Sequence, residues 1–392
     1  MLTLARKLSK YKTAAFMLAW GLYLLFFIPA MVDISDQTRI VLNTITGHVY
    51  HFVYAVLFLI IAMNVLLHEY SRMDFIFFII SGIILVATYY ATGFPDQILF
   101  FAFFMAAYNL DGRKLIHETF AIKILVLAIV VGLSLSGVLS DVVVVLPTRV
   151  RHYLGFTYTT MGAMIMLCSS IEILWYLGKK TNWIWIVCIA VLNLFFFYMT
   201  RTKMVIFVTA ILLVLSSVAI ITDFRWPDFI KNRFILYLIP VLCCVVSLIF
   251  AFTYNPSSEL LSKLNSLLTA RLQLSLNAIN QYGIKLFGQP ITWVGATVEG
   301  KYNYVDCSYL QLLLTFGPLF LAYAVMIYIK GLKKSFNRKD IMLLIALTIT
   351  LIYAMTDPQL MTLGNTGILF CAFTSDSEYD GIICADKVIE EK

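Results

Sequence analysis

The chain has 392 residues, 61% hydrophobic and 13% charged, with a mean hydropathy of +0.88. Soluble domains carry roughly 45–50% apolar residues, so the composition excludes an ordinary soluble protein and points to one integral to a membrane. The formal net charge of +7 is scattered through short segments between apolar runs and builds no long basic patch, which argues against nucleic acid as a partner.

Apolar runs recur along nearly the whole chain, several of them about as long as the ~20 residues a helix needs to cross a bilayer. Open sheets cannot satisfy their backbone in lipid, so the expected class is all-α, a polytopic helical bundle. Twelve spans are expected, near 14–32, 49–67, 75–90, 95–109, 120–139, 156–177, 183–199, 204–222, 234–253, 308–329, 341–355 and 359–373. The third, fourth, eleventh and twelfth are short. The first follows a basic N-terminus with no cleavage-site pattern and reads as a retained span. The seven Cys show no CxxC spacing and lie mostly inside apolar runs, so neither a disulfide framework nor a zinc site is expected.

With the N-terminus in the cytoplasm, alternation puts twenty of the 29 Lys and Arg residues on the inner side. Lys123 is among them, at the start of the fifth span, and Glu172 is the main charge expected within a span. Positive charge favours the cytoplasmic side, so both termini are expected there. The chain then divides into a bundle (1–253), a long extracytoplasmic segment (254–307), the last spans (308–373) and a cytoplasmic tail (374–392).

Cations on the outer side run against that preference. "PTRVRHYLGF" (147–156) presents Arg149 and Arg151, and "YMTRTKMVIF" (198–207) presents Arg201 and Lys203 in a short polar break. Snorkelling to lipid headgroups is the simplest account of one such pair; its repetition argues for a ligand. Residues 259 to about 281 read as one amphipathic helix, with Leu260, Leu264, Leu267, Leu268 and Leu272 on its apolar arc. Arg271 falls inside that arc and needs an anionic partner or a wet cavity. Guanidinium groups grip phosphate and carboxylate with paired donors, so the expected ligand is an anion at headgroup depth, such as a lipid diphosphate.

Residues 285–317 add Trp293, Tyr302, Tyr304 and Tyr309, which read either as sugar-stacking platforms or as an interfacial aromatic belt. Glu299 and Asp306 are candidate general bases on the outer face, with helix capping the competing role for Asp306. His152 is a further base candidate.

Four stretches together resemble the Wzy-type bacterial polysaccharide polymerases of the O-antigen ligase and polymerase superfamily: "RVRHYLGFTYTTMG" (149–162), "YMTRTKMV" (198–205), "TARLQLSLNAINQYGIKLFGQP" (269–290) and "YVDCSYLQLLLTFG" (304–317). The resemblance extends to about twelve spans, cytoplasmic ends and one long outer loop between late helices. It implies inverting glycosyl transfer on the outer leaflet of the bacterial cytoplasmic membrane, from undecaprenyl diphosphate-linked oligosaccharide to an acceptor sugar hydroxyl, with no metal or other cofactor. A chain-length regulator and a flippase are the partners it implies, besides membrane lipid. Carried over, Arg149 or Arg151, Arg201 and Arg271 would hold the diphosphate. The chain departs from the pattern at Cys307, where Asn is usual, and in having no His within 254–307, so a ligase is disfavoured. A flippase of lipid-linked oligosaccharides is the main alternative.

Overall fold

A computed structural model describes residues 2–146, 149–295 and 302–375. The helices are α1 (Leu2–Phe27), α2 (Asp36–Leu66), α3 (Arg72–Thr92), α4 (Asp96–Ala106), α5 (Gly112–Leu135), α6 (Met161–Leu177), α7 (Trp183–Thr200), α8 (Lys203–Ile221), α9 (Arg233–Thr253), α10 (Glu259–Leu267), α11 (Arg271–Tyr282), α12 (Ser308–Arg338) and α13 (Ile341–Ala354). Polar side chains set several starts, because the first N–H groups of a helix have no partner within it. Asp111 accepts from the N–H groups of Arg113 and Lys114, Asn182 from Ile184 and Trp185, and Asp340 from Leu343.

Nine helices among the described residues are long and apolar enough to cross a membrane: α1, α2, α3, α5, α6, α7, α8, α9 and α12. The protein is a multi-pass helical membrane protein. α4 and α13 have 11 and 14 residues, or about 16 and 21 Å at 1.5 Å per residue, short of a ~30 Å hydrocarbon core. α6 is the central helix, with 83% of its apolar window buried against 22% for α2. Peripheral helices expose large apolar side chains such as Phe58, Tyr90 and Ile184, the surface a bilayer covers. Inside, Trp20 stacks on Tyr23 and meets Phe103 and Phe370 edge-on, tying α1 and α4 to the C-terminal segment.

Two expectations need correction. First, 359–373 is not a helical span. After α13 the chain turns through 355–366, forms a short 3-10 helix at Gly367–Ala372, and reaches the start of α5, where Ser375 bridges to Asp111. Irregular backbone is tolerated at membrane depth only where protein surrounds it and its polar groups find partners. Here side chains supply them. Tyr328 donates to the Leu360 carbonyl at 2.9 Å, Lys123 to that of Asn365 at 2.8 Å, and Lys334 to those of Cys371 and Thr374 at 2.9 and 2.6 Å.

Second, the bundle interior carries charge. Lys123 lies well inside α5 and is fully buried, with its ammonium 2.6 Å from Oε1 of Glu172 on α6. The all-α class holds, with one small local addition. Val143–Leu146 (β1) and Arg149–His152 (β2) form an antiparallel hairpin, the only named strands among the described residues.

Candidate functional site

The hairpin explains how two of the candidate arginines share a direction. Side chains alternate across a strand, so Arg149 and Arg151, two residues apart on β2, project together into a cavity. His152 has the opposite parity. Its Nδ1 lies 2.6 Å from Oδ2 of Asp141, whose Oδ1 accepts from the N–H groups of Tyr153 and Leu154 at 3.0 and 2.8 Å. His152 does not line the cavity, and the structure gives it a hairpin-bracing contact instead of the position of a base. Arg151 also anchors the hairpin to α7, donating from Nε to the Thr200 carbonyl at 3.0 Å. Burial, and then the adjacent Arg149, lower its pKa, while Tyr158 opposes the shift.

Arg201 and Thr202 make the whole turn between α7 and α8. Arg201 caps α7 in the left-handed conformation, φ +55° and ψ 34°, with its N–H on the Phe197 carbonyl. A non-glycine residue there is strained by about 1–2 kcal/mol, and the strain fixes where the guanidinium leaves the helix end. The group lies 5.0 Å from the Tyr198 ring centroid. Lys203 begins α8 and also lines the cavity.

Arg271 reaches the same cavity from α11. The expected continuous helix over 259–281 is broken, because Thr269 and Ala270 adopt φ values of +55° and +65°. Asn265 stabilises the break by accepting from the N–H groups of Leu272 and Gln273 at 3.0 and 3.2 Å. Arg271 thereby becomes the first residue of α11. A cation at a helix N-terminus opposes the macrodipole, and two acceptors compensate: Oδ2 of Asp306 lies 3.0 Å from Nε, and the Thr356 carbonyl accepts from Nη1 at 2.6 Å. Asp306 does not cap α12; Cys307 occupies that position without a side-chain cap. Burial raises the Asp306 pKa and Arg271 opposes the shift.

A clasp sets the angle between α11 and α12. Lys285–Gln289 crosses a break in α12 at Gly317–Pro318, where Gly317 has φ +86° and ψ 169°. The Gln289 N–H donates to the Thr315 carbonyl at 2.9 Å, and its side-chain amide reaches the carbonyls of Tyr282 and Gly283, both at 3.1 Å. The Phe-Gly-Gln stretch thus joins the end of α11 to the half of α12 that follows Asp306.

The cavity enclosed by these elements measures about 760 Å³. Arg149, Arg151, Arg201, Lys203 and Arg271 face it with Asp306 and Asp357, five cations to two carboxylates. Among the described residues, only Arg271 of the five is ion-paired. Trp293, Tyr302 and Tyr304 line it too, although the Trp293 indole N–H is already spent on Thr315 Oγ1 at 3.0 Å. Phe27, Met31, Met161 and Met164 supply apolar wall.

No family model, curated protein or solved structure matches the chain.

Tyr309 does not belong with the lining aromatics. It is fully buried in α12 and donates its hydroxyl to the Leu351 carbonyl at 3.0 Å, so the structure makes it a packing residue instead of a sugar platform. Glu299 lies outside the described residues. Sequence reasoning passed over Asp357, Gln359 and Asn365, which the turn after α13 carries into the cavity. The available signal was "MTDPQ" (355–359), a polar break between two apolar runs like the one that drew attention to Arg201.

Proposed function

We propose that the protein polymerises lipid diphosphate-linked oligosaccharide, by inverting glycosyl transfer to an acceptor sugar hydroxyl at the outer face of a bacterial cytoplasmic membrane. The observation that carries this reading is the convergence of five cations from three separate segments on one cavity that also has aromatic and apolar walls. Phosphate oxygens are the acceptors such a set suits, and stabilising a departing diphosphate is the electrostatic work transfer requires. In this reading Arg149, Arg151, Arg201 and Lys203 bind the diphosphate, Arg271 neutralises it as the glycosyl bond breaks, and Tyr302 and Tyr304 hold sugar. The diphosphate carrier is undecaprenyl, both termini lie in the cytoplasm, and a chain-length regulator and a flippase act beside it. Binding of a short polyprenyl diphosphate to purified protein tests the site. Wild type binds and releases the lipid as salt is raised, while Arg201→Ala and Arg149→Ala bind at least about tenfold more weakly; equal binding by all three overturns the assignment.

A second reading is movement of the same lipid across the bilayer. The fully buried Lys123–Glu172 pair favours it, since ionisable groups inside a membrane bundle commonly serve transport. Transfer of a labelled lipid-linked oligosaccharide between leaflets of a proteoliposome, without elongation, would select it.

A further inference from the structure

We infer that Asp357 is the base that takes the proton from the acceptor hydroxyl, an inference that rests on the transferase reading. Asp357 lines the cavity, and its buried Oδ1 has no hydrogen-bond partner among the described residues, while Gln359 and Tyr353 act on the carboxylate as donors that favour its ionised form. An acceptor oxygen left bare at the wall of a polar cavity calls for a donor, because an unsatisfied buried acceptor is costly. A sugar hydroxyl is such a donor. Asp306, the other carboxylate of the cavity, is committed to Arg271.

The backbone around Asp357 is fixed. Its carbonyl accepts from Ser308 Oγ at 2.6 Å, and the same Ser308 oxygen accepts from the Leu360 N–H at 3.0 Å, pinning the turn to the start of α12. Arg271 grips the neighbouring Thr356 carbonyl, so the diphosphate-neutralising group of the proposed reaction and this carboxylate are held in register. Pro358 follows directly and stiffens the turn.

In the step itself, the hydroxyl oxygen forms a bond to the anomeric carbon of the donor sugar. The bond from that carbon to the diphosphate oxygen breaks, and its electron pair leaves with the lipid diphosphate. The hydroxyl proton passes to the Asp357 carboxylate and from there to solvent, so no oxidant, reductant or further reactant is needed. Burial pushes the Asp357 carboxyl up to about 6, which keeps it ionised at neutral pH and basic enough to accept a proton. The groups that face it are Arg271 from α11, Tyr304 and Asp306 from the segment before α12, Tyr353 from α13 and Cys168 from α6.

The test uses the purified full chain and the lipid-linked oligosaccharide fraction extracted from source cells lacking it, with polyprenyl diphosphate binding measured in parallel. Asp357→Asn is expected to lower turnover by at least about 100-fold, keep diphosphate binding within about twofold, and abolish the acidic limb of the turnover-against-pH profile. Asp357→Glu is expected to restore part of the turnover with that limb displaced. The inference is overturned if Asp357→Asn turns over within tenfold of wild type, if the acidic limb persists in it, or if binding falls together with turnover. If Asp306→Asn alone removes the limb, Asp306 is the base. A wild type that binds no polyprenyl diphosphate and elongates nothing ends the transferase reading itself, and the inference with it.

Discussion

Replacing Gly288 by Ala should damage the protein far more than an ordinary glycine substitution, and the size of the effect follows from the clasp. At φ +82°, a Cβ on residue 288 would lie 2.1 Å from the Thr315 carbonyl oxygen and 2.6 Å from Cα of Phe316. The reciprocal site is equally closed, since a Cβ on Gly317 would lie 2.3 Å from the Leu286 oxygen. The obstructing atoms are backbone and cannot rotate away. Left-handed φ costs Ala about 1–2 kcal/mol, and separating close-packed backbone costs about 1–3 kcal/mol more, as overpacking does. Gly93 supplies the internal control, because it caps α3 at φ +75° with nothing within 4 Å of its Cβ position, so only the first cost applies. Thermal unfolding in detergent should therefore show Gly288→Ala losing at least about twice as much stability as Gly93→Ala. Because the clasp aligns α11 with the start of α12, Gly288→Ala should also weaken polyprenyl diphosphate binding, whereas Gly93→Ala should not. Equal, small losses of stability in the two variants would refute the reasoning.

Other outcomes follow from the same geometry. Arg201→Gly relieves the left-handed strain and should hold or raise thermal stability by about 1 kcal/mol while weakening polyprenyl diphosphate binding; a stability loss with binding intact contradicts the assignment of Arg201. The folded pKa of Asp357, about 6, lies above the value of 3.8 for the free side chain, so its stabilising effect is full below about pH 4 and is lost as pH rises through 6. Asp357→Asn should therefore melt higher than wild type at pH 8, by at most about 3 kcal/mol, and the two should converge near pH 4; a gap independent of pH argues against the shift. Lys123→Met alone strands Glu172 and should cost about 3–5 kcal/mol, whereas Lys123→Met with Glu172→Gln should recover most of it. If the double variant melts no higher than the single, the pair is not the source of the loss.

The long apolar helices were legible because a bilayer imposes a length and a composition that few other structures share. The cavity cations were legible for a related reason: Arg149, Arg151, Arg201, Lys203 and Arg271 stand in polar breaks or on an apolar face, where charge has to be accounted for, and the folded chain gathers all five. What escaped depends on contacts distant in sequence. The 359–373 run is apolar enough to pass for a span, yet its carbonyls are met by Tyr328, Lys123 and Lys334, which lie about 30 to 240 residues away. Lys123 could be placed at the inner start of its span only because its partner Glu172 sits on another helix. The break at Thr269 and Ala270 contains neither glycine nor proline and rests on an Asn265 cap that periodicity cannot register. His152 was misjudged for want of the strand, since the parity that turns Arg149 and Arg151 inward turns His152 away.

The central claim is that the cationic cavity handles a lipid diphosphate during glycosyl transfer. Its most direct test is elongation in vitro: purified wild type, Arg271→Lys and Arg201→Ala, at equal folded yield, incubated with lipid-linked oligosaccharide and resolved by product length. The account predicts a ladder of products and free lipid diphosphate from wild type, and neither from the two variants. A ladder of equal length from all three proteins, or substrate carried across the bilayer with no elongation, would contradict it.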